Sequence, residues 1–191
     1  MTYRKLSRAV AVVALGAAAL MAFPATASAQ PPFDEEVGFV VECSGEEEGY
    51  TVTVTLFQTT AVQAPTPASA TVIIETSDGT VLAGETTGDV LFDNGTIDVV
   101  VDLTELEPEE GVPAGSATVT GTYELSGQPT RVHQAIRDAG FIVVVLGTNT
   151  PLSVDLTLDY AGDTIALDCP EAFAFDLRVL QQPIGGNQSD R

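Results

Sequence analysis

The residues best suited to chemistry cluster early in the chain. The stretch "VECSGEEEGY" (41–50) sets Cys43 beside Glu46, Glu47 and Glu48. A thiolate near carboxylates can hold a metal, grouped carboxylates can move protons, and a cysteine in an oxidising compartment can form a disulfide. The chain has one other cysteine, Cys169, and a single histidine, His133. Two cysteines and one histidine do not complete an ordinary four-ligand zinc site. Calcium needs about six to eight oxygens aimed at one point. No segment matches the D-x-[DN]-x-[DN]-G loop with its later glutamate. Calcium would therefore have to draw on several loops, and its weak candidates are Glu46, Glu47, Glu48, Glu105, Glu107, Glu109 and Glu110. "FDNGTID" (92–98) also supplies acids, but Asn94-Gly95 reads better as a tight turn.

Catalytic chemistry finds little to use. No G-x-S-x-G elbow accompanies His133, so a serine hydrolase lacks its nucleophile. A glycosidase needs two carboxylates roughly 5–10 Å apart. With 27 acids in the chain, no pair stands out. No glycine-rich phosphate loop is present. Sugar binding leans on exposed aromatic rings. Tryptophan is absent, and Tyr50, Tyr123 and Tyr160 fall at inward positions of strand patterns. The reading is of no catalytic residue, no cofactor and a non-enzyme.

The N-terminus resolves the cysteine question. Arg4, Lys5 and Arg8 precede an apolar run at 9–22, Pro24 follows, and "ASA" (27–29) is a small-x-small cleavage site. This pattern predicts a signal peptide over 1–29, export by the general secretory route, and no membrane span after cleavage. Paired cysteines in an exported chain favour a Cys43–Cys169 disulfide, since each ends a strand pattern in phase with its inward face. The triple glutamate then lies in the connection between two strands, beside a disulfide rather than in a metal centre.

Charge narrows the partners. After cleavage the chain keeps four arginines (131, 137, 178 and 191), no lysine and all 27 acids, a formal charge of −23. Such a surface repels phosphate backbones, which excludes nucleic acid as a partner. A cation, a basic protein or a neutral ligand remains compatible with this charge, and the expected partner is a protein or a cell-surface ligand outside the cell.

The elements that must position these residues are strands. "VGFVVEC" (37–43) alternates Val37, Phe39, Val41 and Cys43 on one face, and "YTVTVTLF" (50–57) sets Tyr50, Val52, Val54 and Leu56 inward. "ATVIIET" and "TVLAG" meet across Asp78-Gly79, and "DVLFD" and "TIDVVVDL" across Asn94-Gly95, both strong hairpin dipeptides. "GSATVTGTYEL" (115–125) points Val119, Tyr123 and Leu125 inward. "FIVVVLGT" (141–148), "LSVDLTLDY" (152–160), "DTIALDC" (163–169) and "AFAFDLRVL" (172–180) follow. "TRVHQAIRDAG" (130–140) fits a helical stripe ending at Gly140, or a strand turning at "RDAG" into "FIVVV"; its context favours the hairpin. About ten short strands with turn signals between them predict an all-β, single-domain antiparallel β-sandwich closed by one disulfide. In strand count and cysteine placement this resembles immunoglobulin-like sandwiches in general architecture, without their tryptophan.

The expected organisation is a signal peptide (1–29), an extended arm (30–36), the sandwich (37–181) and a flexible tail (182–191). The expected function is an exported, non-catalytic interaction or structural module. The alternatives are a calcium-dependent extracellular binding module and, third, a carboxylate-based hydrolase.

Overall fold

Period-two alternation becomes ten antiparallel strands. The computed structural model describes residues 33–61, 67–106, 113–138 and 141–183. The strands are β1 (Asp34–Glu47), β2 (Tyr50–Thr59), β3 (Ala68–Thr76), β4 (Val81–Gly88), β5 (Phe92–Asp93), β6 (Thr96–Glu105), β7 (Pro113–Leu125), β8 (Thr130–Asp138), β9 (Phe141–Tyr160) and β10 (Asp163–Pro183). No helix occurs among the described residues. The expected signal peptide (1–29) and residues 184–191 of the expected tail lie outside them. β1 takes in residues 34–36, which the sequence reading gives to the arm, because they pair with Leu177, Arg178 and Val179 of β10.

All strands belong to one sheet, ordered β10-β1-β2-β3-β4-β6-β7-β9-β8. β10 also pairs with β9, so the ladders from β1 through β2, β3, β4, β6, β7, β9 and β10 return to β1 as a ring, with β5 attached to β6 alone. Closure gives each of the ring's strands a neighbour on both sides, which reduces the exposed sheet edge. The link between β4 and β6 is the shortest, at Leu82↔Glu105 and Ala83↔Thr104.

The ring's interior is filled. Val52, Val54 and Leu56 of β2, Val72 and Ile74 of β3, Leu156 and Leu158 of β9 and Ile165 of β10 are all fully or almost fully buried. Burying each such branched side chain stabilises the fold by about 1.5–3 kcal/mol before chain entropy is counted. Their partners in alternation, such as Thr51, Thr53, Asp98 and Asp102, face solvent.

Two aromatic groups close the ends. Phe39 stacks on Phe92 at 4.8 Å, and both meet the edge of Tyr123, at 5.5 and 5.2 Å. At the other end Tyr50 and Tyr160 meet edge to face at 5.7 Å. The three tyrosines are half-buried against the core, as their phase implies. Two inward assignments fail. Leu125 is 67% exposed and Val37 46%. Each lies one pleat beyond the layer of Phe39, Phe92 and Tyr123, where the filled interior ends.

The second hairpin forms differently from its pattern. Asn94 and Gly95 take positive φ, 48° and 83°, as a type I′ turn requires. Yet only Phe92 and Asp93 pair with β6. The backbone N–H groups of Leu91 and Phe92 instead donate to Gln58 Oε1, at 2.7 and 2.9 Å. Gln58 occupies the last inward position of β2, so its amide holds Phe92 over the ring's end.

Cys43 and Cys169 form a disulfide across the β1–β10 seam. Beside it β10 carries one extra residue: Ser44 pairs Asp168, whereas Glu42 pairs Glu171. This bulge, which contains Pro170, switches the inward set of β10 from Ile165, Leu167 and Cys169 to Ala172 and Ala174. Phe173, Phe175, Leu177 and Val179 share a face, the one turned away from the interior.

Candidate functional site

Two long strands carry the sheet beyond the ring. "FIVVVLGT" and "LSVDLTLDY" read as separate strands in the sequence, but they are halves of β9, joined through Pro151. Proline donates no ladder hydrogen bond and is tolerated where a partner changes. After Pro151, β9 pairs with β7; before it, with β8. The Pro151 carbonyl accepts from Ser126 N–H at 2.7 Å, which fixes the end of β7 at that switch. β8, the first half of β9, the second half of β10 and the first residues of β1 therefore form a four-stranded wing rising from the rim.

Residues 130–138 form the edge of this wing. The hairpin reading of "TRVHQAIRDAG" holds, with Asp138 opposite Phe141 and Thr130 opposite Asn149. Among the described residues no strand pairs with the outer side of β8.

The two wing faces differ. One face holds Val143, Val145 and Phe175, all nearly buried, with Phe175 stacked on Phe57 of β2 at 6.2 Å. Phe175 also lies over Gly38, where a Cβ would meet the ring's Cζ at 2.5 Å and the Gln58 carbonyl closer still. The other face continues the inward side of the ring. The registers set Arg131 beside Thr148 and Asp176, His133 beside Leu146 and Arg178, Ala135 beside Val144 and Leu180, and Arg137 beside Ile142 and Gln182. Ile142, Val144, Leu146 and Leu180 are half-buried, while Arg131, His133, Ala135 and Arg137 are exposed. Every arginine among the described residues thus stands on one face of the wing.

Arg178 is partly neutralised there, since it pairs with Glu35 of β1 at 3.4 Å with both side chains exposed. It is the one ion pair among the described residues. Arg131, His133 and Arg137 have no described carboxylate within ion-pairing distance.

The acid candidates lie at the opposite end. Glu46 and Glu47 end β1, and Glu48 occupies the turn to β2, all exposed. Glu46, Glu47 and Glu75 line a shallow depression; Asp78 and Glu105 line the next, across Gly79. The topology brings the β1–β2 and β3–β4 turns and the end of β6 to one end of the ring. Glu107, Glu109 and Glu110 lie outside the described residues. Among the described residues no three acidic, histidine or cysteine side chains converge to hold a metal. Asp78 serves its own turn: the Thr76 hydroxyl and then the Thr80 backbone N–H bond its carboxylate and hold it below the usual range.

Elsewhere carboxylates are pushed up. Glu42 lies opposite Glu171; partial burial first, then the Glu171 charge, raises its pKa. Burial and then Asp34 raise Glu36. Neither pair lines either of the depressions at the Glu46 end. Burial, then Tyr50, also raises Tyr160.

The sequence reading did not single out the wing face. Its signal was the odd-numbered spacing of Arg131, His133 and Arg137, which places them together on any strand. No family model matches the chain, and comparison with curated proteins and with solved structures finds no match.

Proposed function

We propose that the exported chain is a non-catalytic interaction module in which the filled ring is the scaffold and the wing the contact surface. The observation that carries this is β8, a strand whose outer edge is unpaired among the described residues and whose exposed face gathers cationic groups beside apolar ones. Unpaired backbone groups at a sheet edge are a template for another strand. Rigid sheets that present such surfaces bind partners without catalytic groups. The disulfide and the absence, among the described residues, of a helix long and apolar enough to cross a membrane are compatible with secretion. In this proposal the ring works as a sandwich of immunoglobulin-like outline, two opposed walls acting as its layers.

The test is partner capture by residues 30–191 from the surface and culture fluid of the exporting cell. Arg131→Glu/Arg137→Glu should abolish capture of a specific partner, while Glu85→Lys on the exposed face of β4 should not. Capture indifferent to the wing variant, or a hydrolytic activity of the purified protein, would overturn the reading.

A further inference from the structure

The wing face specifies its partner's chemistry. On the interaction-module reading, on which this inference rests, we propose that β8 takes up an extended acidic polypeptide segment as an added antiparallel strand. The partner's carboxylates would stand opposite Arg131, His133 and Arg137.

Three observations converge on this. The outer edge of β8 has no partner among the described residues, and nine residues give it the length of an ordinary ladder. Strand addition draws affinity from backbone hydrogen bonds and specificity from alternate side chains. Arg131, His133 and Arg137 occupy the same side of the strand, spread over about 20 Å at ~3.3 Å per residue. A neighbouring strand lies about 4.8 Å away, so its opposite side chains reach these groups directly. Finally, Arg131 and Arg137 have no described carboxylate at ion-pairing distance, although the chain carries 27 acids. Ala135, between His133 and Arg137, leaves room for one apolar side chain, with Val144 of β9 behind it.

The same charges argue against a second copy of β8. Antiparallel self-pairing centred on Gln134 would set Arg131 opposite Arg137 twice, and like charges directly opposed disfavour a ladder. Charged edges also serve to prevent unwanted pairing, so the experiment must separate recognition from protection.

The probe is a synthetic peptide as long as β8, with glutamates facing Arg131, His133 and Arg137, valine facing Ala135 and threonine elsewhere. Three controls replace the glutamates by glutamine, replace them by lysine, or methylate alternate backbone nitrogens. Binding is measured by titration calorimetry with residues 30–191. The glutamate peptide should bind, and the glutamine and lysine peptides should bind at least about tenfold more weakly, because attraction at several opposed positions is lost or reversed. The methylated peptide should not bind. Arg131→Glu/Arg137→Glu, with an unchanged melting temperature, should weaken the glutamate peptide at least about tenfold. Salt at about 0.3 M should weaken it too, since exposed charges are screened.

Equal binding of the methylated peptide would show a charge contact without strand addition and overturn the proposal. So would equal binding of the glutamine peptide, or saturable self-association that depends on Arg131. Aggregation of Arg131→Gln/Arg137→Gln with no peptide binding by the parent would show that the charges only guard the edge, and would also overturn it. A wing-dependent partner in the capture experiment with no peptide binding refutes this inference and leaves the module reading standing.

Discussion

Gln58 offers the most direct test of how the ring is closed. Its Oε1 accepts two backbone N–H groups, from Leu91 and Phe92, whose side chains are only 8% and 5% exposed. Each hydrogen bond contributes about 0.5–1.5 kcal/mol net, so Gln58→Ala should cost roughly 1–3 kcal/mol. Gln58→Leu should cost at least as much. It fills the space but leaves two donors facing an apolar group, and an unsatisfied buried donor costs about 1–3 kcal/mol. Displacing Phe92 would further weaken its contacts with Phe39 and Tyr123, each worth about 0.5–1.5 kcal/mol beyond area burial. Gln58→Glu keeps an acceptor and should retain the geometry. Urea unfolding measures the stability change, and amide hydrogen exchange reports the site. In the alanine and leucine variants Leu91 and Phe92 should lose protection while Val54 and Val72 follow global stability alone. A Gln58→Leu loss below about 0.5 kcal/mol with unchanged exchange at Leu91 and Phe92 would refute the reasoning.

Four further outcomes are expected. The Cys43–Cys169 bond spans 126 residues, so Cys43→Ala/Cys169→Ala should lose about 5 kcal/mol in the chain-entropy model, and the intact mass should lie two hydrogens below the reduced form; free thiols in denatured, unreduced protein would contradict it. Glu42 is raised in the folded state, so the folded form holds its proton longer and stability falls as pH rises from the unfolded glutamate value through the folded one. Glu42→Gln should therefore gain at neutral pH and not at pH 3, by roughly 0.2–1 kcal/mol for a like-charged cross-strand pair, read from melts at both pH values. Gly38→Ala should cost about 1–3 kcal/mol in urea unfolding, because its Cβ would meet the Gln58 carbonyl and the Phe175 ring. Calcium and magnesium at equal ionic strength should raise the melting temperature alike, as screening of a solvated acidic surface implies; a saturable, calcium-selective rise would instead point to a site near Glu46, Glu47 and Glu105.

Much of the local structure was legible because alternation reports which side of a strand is apolar. Val52, Val54 and Leu56 are buried where their phase puts them, and Asp78-Gly79 and Asn94-Gly95 turn where their backbone preferences require. The inward phase of Cys43 and Cys169 brought them to one seam. The hairpin at 130–140 also followed from context, with β9 ready to pair beside it. Leu125 and Val37 misled because alternation carries no information about where the interior stops.

Sequence by itself determined the strand content, the acidic surface and the shared side of Arg131, His133 and Arg137. Only the tertiary structure decided that the sheet closes into a ring, that β9 exchanges β7 for β8 at Pro151, and that Arg178 joins the other arginines on one face of the wing. The side of a residue within its strand is local, set by the two-residue period of the backbone. Which strand lies alongside, and in which register, depends on contacts between residues distant in the chain, and a single bulge beside Cys169 is enough to turn every later side chain of β10 to the opposite face.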